Sequence, residues 1–350
     1  MKVFNILFTL FGVVTVIFFL FQILPGDPAR MMMDQNEDVE QLEIIKKKYG
    51  FDEPILKQYL YYLNDLSIIS IHSKNPEKIN FVRENKYSFT KIYDFQNSTL
   101  VLKFPYLRES YQRRGVKVST IIMDTFPNTV VLAISSILFA TVFGLLLGIL
   151  SALYKETLFD NSIQLFSTFG MSMPSFLSSI IFAWIFGFVL ADITGLNMTG
   201  SLFELDDFGD EYRLELKNLI LPSIVLGIRP IAVISMMMRN SLIETLKKNY
   251  VITAYAKGLS KSKVILNHCL KNSLNPVITA LSGWFASLLA GSVFVEYIFG
   301  WNGLGREIVN SLNLLDVPVI IGAVIVVSFS FIMINIFVDY IYKFLDPRIS

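Results

Sequence analysis

Cysteine is nearly missing from this 350-residue chain, with Cys269 the single example, and histidine is confined to His72 and His268. One thiol excludes an internal disulfide framework, and nothing around it has the spacing of a CxxC or zinc site. With only two histidines, a histidine-based triad or metal cluster would have to use His72 in the outer stretch or His268 in the basic inner loop, and His268 reads as a polar helix-face residue. No G-x-x-x-x-G-K-[ST], H-E-x-x-H or G-x-S-x-G occurs, so the chain has no P-loop of its own and no recognisable hydrolytic site. Charge is thin as well. Charged residues make up 17% of the chain, and they are excluded from long blocks rather than spread evenly.

What fills those blocks is apolar: 53% of residues are hydrophobic and the mean hydropathy is +0.54, values of a membrane protein. A helix needs about 20 apolar residues to cross roughly 30 Å of hydrocarbon. Six blocks qualify, from Val3 to Leu24, Thr129 to Leu153, Ile163 to Leu190, Leu219 to Met238, Val277 to Phe299 and Val317 to Tyr342. The first is longer than a signal-peptide core and lacks a small-residue cleavage site, so it reads as a retained span. Lys2, Lys155, Arg239, Lys247, Lys248, Lys257, Lys261, Lys263, Lys271, Lys343 and Arg348 fall on one side. The loop from Ala191 to Asn218 is acidic. The positive-inside rule then puts both termini in the cytoplasm and the long stretch from Pro25 to Pro127 outside.

In that outer stretch Glu37 to Lys48 has the pattern of an amphipathic helix closed by Gly50. A second helix begins at "FDEPILKQYLYYL", with Asp52 able to cap and Pro54 in its first turn. "KYSFTKIYDFQNSTLVLKF" has strand composition without a readable register. Inside the spans, Gly144 and Gly148 form a GxxxG suited to close packing. Ser172 and Ser175 flank Pro174 on a kinked, serine-rich span that suits a cavity wall, although serines also bond to their own helix. Arg229, before Pro230, is the one charge well inside a span. It faces either a water-filled path carrying an anionic group or the backbone carbonyls at a local break. With so few buried carboxylates, an ion-coupled transporter lacks parts.

The segment from Asn240 to Pro276 is different in kind. Leu242, Ile243, Leu246, Tyr250 and Ala254 form an apolar stripe continuing from the fourth span, Gly258 fits a left-handed terminator, and Ser260 can cap the next helix. There Leu266, Leu270 and Leu274 recur at helical spacing until Pro276. Two amphipathic helices meeting at a "KGLS" corner, with Leu259 presented between basic residues, suit a rigid knob docked in a partner's groove better than a lysine anchor on lipid.

"TAYAKGLSKSKVILNHCLKNSLNPV" resembles the cytoplasmic coupling loop of ABC importer permeases, in the version of the oligopeptide/dipeptide/nickel group. "LPGDPA", "KKYGFDEPILKQY", "LILPSIVLGI", "FGWNGLGREIV" and "LDPRI" are similar, in the same order, to that group's first permease subunit. The resemblance implies an all-α integral membrane protein of the type I importer permease class with about six transmembrane helices. A long extracytoplasmic insert of mixed α and β character would lie between the first two. The divisions would be a first span 1–24, an extracytoplasmic region 25–126, a five-helix core 127–346 with coupling loop 240–276, and a tail 347–350.

The resemblance further implies a bacterial inner-membrane subunit without catalysis of its own. Its partners would be a second permease in a heterodimer, two ATPase subunits that carry ATP and magnesium, an extracytoplasmic substrate-binding protein, and membrane lipid rather than nucleic acid; this chain would hold no cofactor. Ala254 and Gly258 match the motif, with Lys257, Gly258 and Leu259 as the transmitting contact and Glu244 and Lys261 as nearby polar candidates. Ser172, Pro174, Ser175 and Arg229 are candidates for the translocation path. Ile252 stands where the motif has a polar residue, Pro276 is shifted, and about 68–115 is a longer outer insert than expected, onto which the resemblance carries no residue roles. An ion-coupled transporter and a membrane scaffold recruiting a cytoplasmic partner are the other classes to separate from this one.

Overall fold

A computed structural model describes residues 2–23, 27–33, 39–76, 78–82, 88–206 and 209–345. Parts of "LPGDPA" and "LDPRI", the tail 347–350, and Glu37, Asp207 and Arg348 lie outside the described residues. The chain divides into two compact units, Met1–Asp124 with Ile308–Ser328, and Thr125–Glu307 with Phe329–Ser350.

The first unit begins with α1 (Lys2–Ile23), apolar on all sides, then α2 (Pro28–Met31), α3 (Val39–Tyr49) and α4 (Ile55–Leu66). Gly50 closes α3 at φ +76°, and the Phe51 amide reaches back to the Lys46 carbonyl (2.9 Å), a helix end that only glycine adopts without strain. Pro54, not Asp52, takes the cap position of α4. Val14 and Phe18 of α1 pack on Tyr62 of α4 and on Ile321.

A three-stranded antiparallel sheet follows, built from β1 (Ile69–Ser73), β2 (Phe89–Asp94) and β3 (Ser98–Lys103) in the order β1-β3-β2. Ile69 pairs with Leu102 and Phe89 with Lys103, with a bulge between Lys91 and Tyr93. The sheet is inverted in polarity. Ser70, His72, Thr99 and Lys103 are buried beside Val101, while Ile69 is 57% and Ile71 52% exposed. Burial of those polar groups is offset by internal bonds: Ser70 Oγ to His72 Nε2 (2.9 Å), His72 Nδ1 to the Asn80 carbonyl (3.0 Å), and Lys103 Nζ to the Ser67 carbonyl (3.1 Å). Burial also lowers the His72 pKa, so the ring is a neutral structural group.

The next helix, α5 (Val118–Leu153), starts eleven residues before the expected span and runs through Pro127. Its 36 residues measure roughly 54 Å, more than the hydrocarbon needs, so the first turns extend beyond it. Then come α6 (Leu158–Ser172), α7 (Ser175–Trp184) with a π turn over Ile185–Val189, α8 (Ala191–Thr194), and a β4–β5 hairpin (Phe203–Leu205 with Tyr212–Leu214). The third expected span is not one kinked helix. It breaks at Met173–Pro174 into two helices bent by 109°, because the ring of Pro174 forces Met173 out of the helical region to ψ 128°.

The helix α9 (Ile220–Leu246) crosses Pro230 unbroken and is the spine of the second unit. Gly144 and Gly148 of α5 lie against it: a Cβ on Gly144 would sit 2.8 Å from Ile234 Cβ, and one on Gly148 2.6 Å from the Ser235 carbonyl. The chain continues as α10 (Asn249–Ala256), α11 (Lys261–Val264), α12 (Leu270–Ser273), α13 (Asn275–Gly291), α14 (Val293–Phe299), α15 (Leu304–Asn313) and α16 (Val317–Leu345). Among the described residues four helices are long and apolar enough to cross a membrane, or up to six if each bent pair is one span.

Candidate functional site

The corner between α10 and α11 is built by four departures from a plain helix pair. At Lys248 the backbone turns to ψ 145°, so α9 and α10 are separate helices rather than the continuous one expected. That break changes the helical phase: Val251 and Ala254 face inward with Leu242, while Tyr250 turns outward. Gly258 is left-handed at φ +78°, with its amide bonded to the Tyr255 carbonyl (2.9 Å) and the Leu259 amide to the Ala254 carbonyl (3.4 Å). This pair of bonds is a Schellman closure, and its apolar seal is Leu259, partly buried against the cluster that holds Ala254 and Val264. Leu259 therefore packs inward rather than projecting between the lysines.

Ser260 takes the next cap position, yet its hydroxyl makes no capping bond; its carbonyl accepts from the Val264 amide (3.0 Å). The following helix contains a π segment, Ile265–Cys269, whose extra residue per turn buries Val264, Ile265 and Cys269 and leaves Leu266 63% exposed. Leu270 and Leu274 remain inside. Pro276 opens α13 instead of ending its predecessor, since a proline in the first turn loses no helix bond. Asn272 Nδ2 donates to Tyr250 Oη (2.8 Å), tying the two arms together.

On this pedestal the exposed groups are Lys257, Gly258, Ser260 and Lys261, with Ile252 and Tyr255 on the outward face of α10 and Glu244 on α9. A Cβ at Gly258 would meet no heavy atom within 4 Å, so the glycine is required by its φ and not by space. The apolar part of this surface, Ile252 and Tyr255, was not legible as a surface until the phase of α10 was known.

A second constellation at the same end of α9 escaped the sequence reading. Arg239 grips the buried Asp160 with both ends of its fork, Nε to Oδ1 at 2.7 Å and Nη2 to Oδ2 at 2.6 Å. Ser151 Oγ also donates to Asp160, as does the amide of Glu156 (2.9 Å), which adopts φ +64° to do so. The only local signal was Thr157 three residues before Asp160, where the hydroxyl caps α6 by accepting from the Asp160 amide (3.3 Å).

The candidate path residues meet at the α6–α7 break. Arg229 Nε lies 3.4 Å from the Met171 carbonyl, in the last turn of α6, where helix carbonyls lack internal partners. The break thus belongs to α6–α7, and α9 keeps its course at Arg229–Pro230. Ser172 Oγ bonds back to the Thr168 carbonyl (2.9 Å), and Ser179 Oγ to the Ser175 carbonyl (2.8 Å). Ser172, Pro174 and Arg229 are exposed in the isolated chain and Ser175 is half-buried.

The binding-protein-dependent transport system inner membrane component family matches residues 144–350, and the family of the N-terminal part of such components matches residues 1–80. The chain belongs to this family. Curated relatives extend the match to nearly full length: the di/tripeptide transport system permease protein DppB of Pseudomonas aeruginosa is 32% identical over 97% of this chain and 95% of its own. The dipeptide permease DppB of Alkalihalophilus pseudofirmus is 31% identical over 97% and 95%, and the glutathione permease GsiC of Escherichia coli K12 30% over 97% and 94%. In solved structures, the inward-facing MetNI methionine ABC transporter shares the fold at TM-score 0.53 and 15% identity, covering 65% of this chain and 97% of that one. This family member is the permease subunit of an ABC importer of the inner membrane. It has no catalytic role of its own, ATP being hydrolysed by separate ATPase subunits, and substrate arrives through a binding protein.

Proposed function

We propose that this chain is one half of the translocation path of a peptide importer, paired with a second, different permease, and that the α10–α11 corner is its coupling contact with an ATPase subunit. The cargo reading rests on relatives named for dipeptides, di/tripeptides and glutathione. In this reading the chain crosses the membrane six times with both termini in the cytoplasm, α6–α7 making the third crossing and α13 with α14 the fifth, while α11 and α12 stay on the cytoplasmic side and 25–126 faces outward. ATP and magnesium stay on the partners.

The observation that carries the coupling role is the closed corner itself. Lys257, Gly258 and Lys261 stand exposed on a base fixed by Ala254 and Leu259, so force applied there passes to α9 and α13 instead of bending a loop. Closure of the ATPases on ATP would move the corner, and α9 would carry the motion to Arg229 and the α6–α7 break, where Ser172, Pro174 and Ser175 border the path.

Gly258→Val tests it. A β-branched residue is strongly disfavoured at positive φ, while nothing surrounds the site, so the change distorts the corner and spares the spans. Affinity purification in mild detergent should recover two ATPases and a second permease with the wild type, and the variant should keep the permease and lose the ATPases. Recovery of both ATPases at wild-type yield with the variant would remove the corner from the coupling contact.

A further inference from the structure

The first unit holds a cavity of about 280 Å³ that uses no residue of the corner or of the α6–α7 break. Its apolar wall comes from Phe18 and Phe21 in the last turns of α1 and from Val317 and Ile321 in the first turns of α16. Both helices are candidate spans, Ile6–Ile23 and Val317–Val338, so the cavity lies where two spans end and hydrocarbon gives way to headgroups. The neighbouring surface of α1 is apolar too, with Leu20 and Ile23 exposed.

The other wall carries two cations, each already paired with a carboxylate, and one of those carboxylates, Asp27, lines the cavity itself. Lys46 Nζ is 3.0 Å from Asp27 Oδ2, and Arg108 Nε is 2.8 Å from Asp65 Oδ2. Arg108 adopts φ +66°, a strained conformation for arginine, and its guanidinium lies 4.8 Å from the centre of the Tyr62 ring. An ammonium and a guanidinium each carry more donors than one carboxylate uses, so both can serve a further anionic oxygen. Gly50 completes the wall at φ +76°, and a Cβ there would press on Ile79 at 2.6 Å.

We propose that this cavity binds one phospholipid molecule, its phosphate against Lys46 and Arg108 and one acyl chain leaving the cavity past Phe21 along the exposed Leu20 and Ile23 of α1. A free anion would use the cations and leave the apolar wall bare. A short peptide would not account for the placement at the ends of two spans.

The test is thermal unfolding of the delipidated full-length chain in detergent, with phosphatidylglycerol or phosphatidylcholine in mixed micelles, inorganic phosphate, or trialanine added separately. Either phospholipid should raise the melting temperature saturably, and phosphate and trialanine should leave it unchanged. Lys46→Gln, at the partly exposed rim, should raise the half-saturating lipid concentration about tenfold, the weight of one charge-assisted hydrogen bond. Val317→Trp, which fills the cavity, should abolish the lipid shift while unfolding stays cooperative. A shift given by phosphate alone or by trialanine alone would overturn the proposal, as would a lipid shift equal in wild type and both variants, which would mark lipid bound around the whole belt.

Discussion

Asp160 and Glu296 are both fully buried carboxylates in the second unit, and they are kept there by opposite means. Asp160 faces a cation, with Arg239 on both oxygens. Glu296 accepts the Ser292 hydroxyl (2.7 Å) and the amides of Gly305 (2.7 Å) and Arg306 (3.3 Å), so it caps the start of α15. Gly303 and Gly305 permit this approach, since a Cβ on either would come within 3 Å of the Glu296 carboxylate. The difference teaches where each site is fragile. A charge pair fails when one member is removed, because the other is left desolvated; a carboxylate held by neutral dipoles can lose its charge and keep its shape.

The sharpest break of that comparison is Asp160→Ala. It leaves Arg239 without its partner and should cost about 3 kcal/mol, seen as a large drop in melting temperature in detergent. Adding Arg239→Met should recover part of the loss, and an additive double variant would show that the two residues do not act as a pair.

A buried cation extends the comparison to the other unit. Lys103 donates to the carbonyls of Asp65 and Ser67, and burial lowers its pKa to about 8. The unfolded lysine titrates near 10.4, so between about pH 8 and 10 the unfolded chain holds more protons and the fold gains stability as pH rises. A gain of about 1–2 kcal/mol over that window is expected, and Lys103→Met should flatten it. Unfolding midpoints that fall with pH in the wild type would contradict this sign.

The smallest effect belongs to Glu296→Gln. Its carbonyl oxygen can still face the two amides and its NH2 the Ser292 hydroxyl, so the cost should stay near 1 kcal/mol or below. A loss as large as that of Asp160→Ala would mean that the charge on Glu296, not its geometry, holds α15.

Much of this architecture was legible beforehand, for reasons particular residues make plain. Uncharged blocks mark spans whatever their packing, and Gly50 and Gly258 terminate helices because of a local backbone requirement. The break at Lys247–Lys248 and the π segment at Ile265–Cys269 were not legible. Each shifts helical phase without changing composition, so spacing alone points Tyr250 and Leu266 inward while the structure turns both outward. β1 was missed because its isoleucines point outward and its serine and histidine inward, the reverse of the usual pattern. The Asp160–Arg239 pair joins residues 79 positions apart, and no periodicity reports a contact at that distance. At Pro174 a kink was legible and its size, a 109° break into two helices, was not, since Pro127 and Pro230 sit in intact helices.

The continuity of α9 past Pro230 has a mechanical meaning. Its 27 residues make a rod roughly 40 Å long, clamped to α6 through Arg239 and joined at its end to the corner. A rod has leverage that a hinged segment lacks: tilting it by about 5° around one end carries the other through roughly 3.5 Å. A displacement of that size is comparable to the width of a methylene group, enough to part or close two packed side-chain layers.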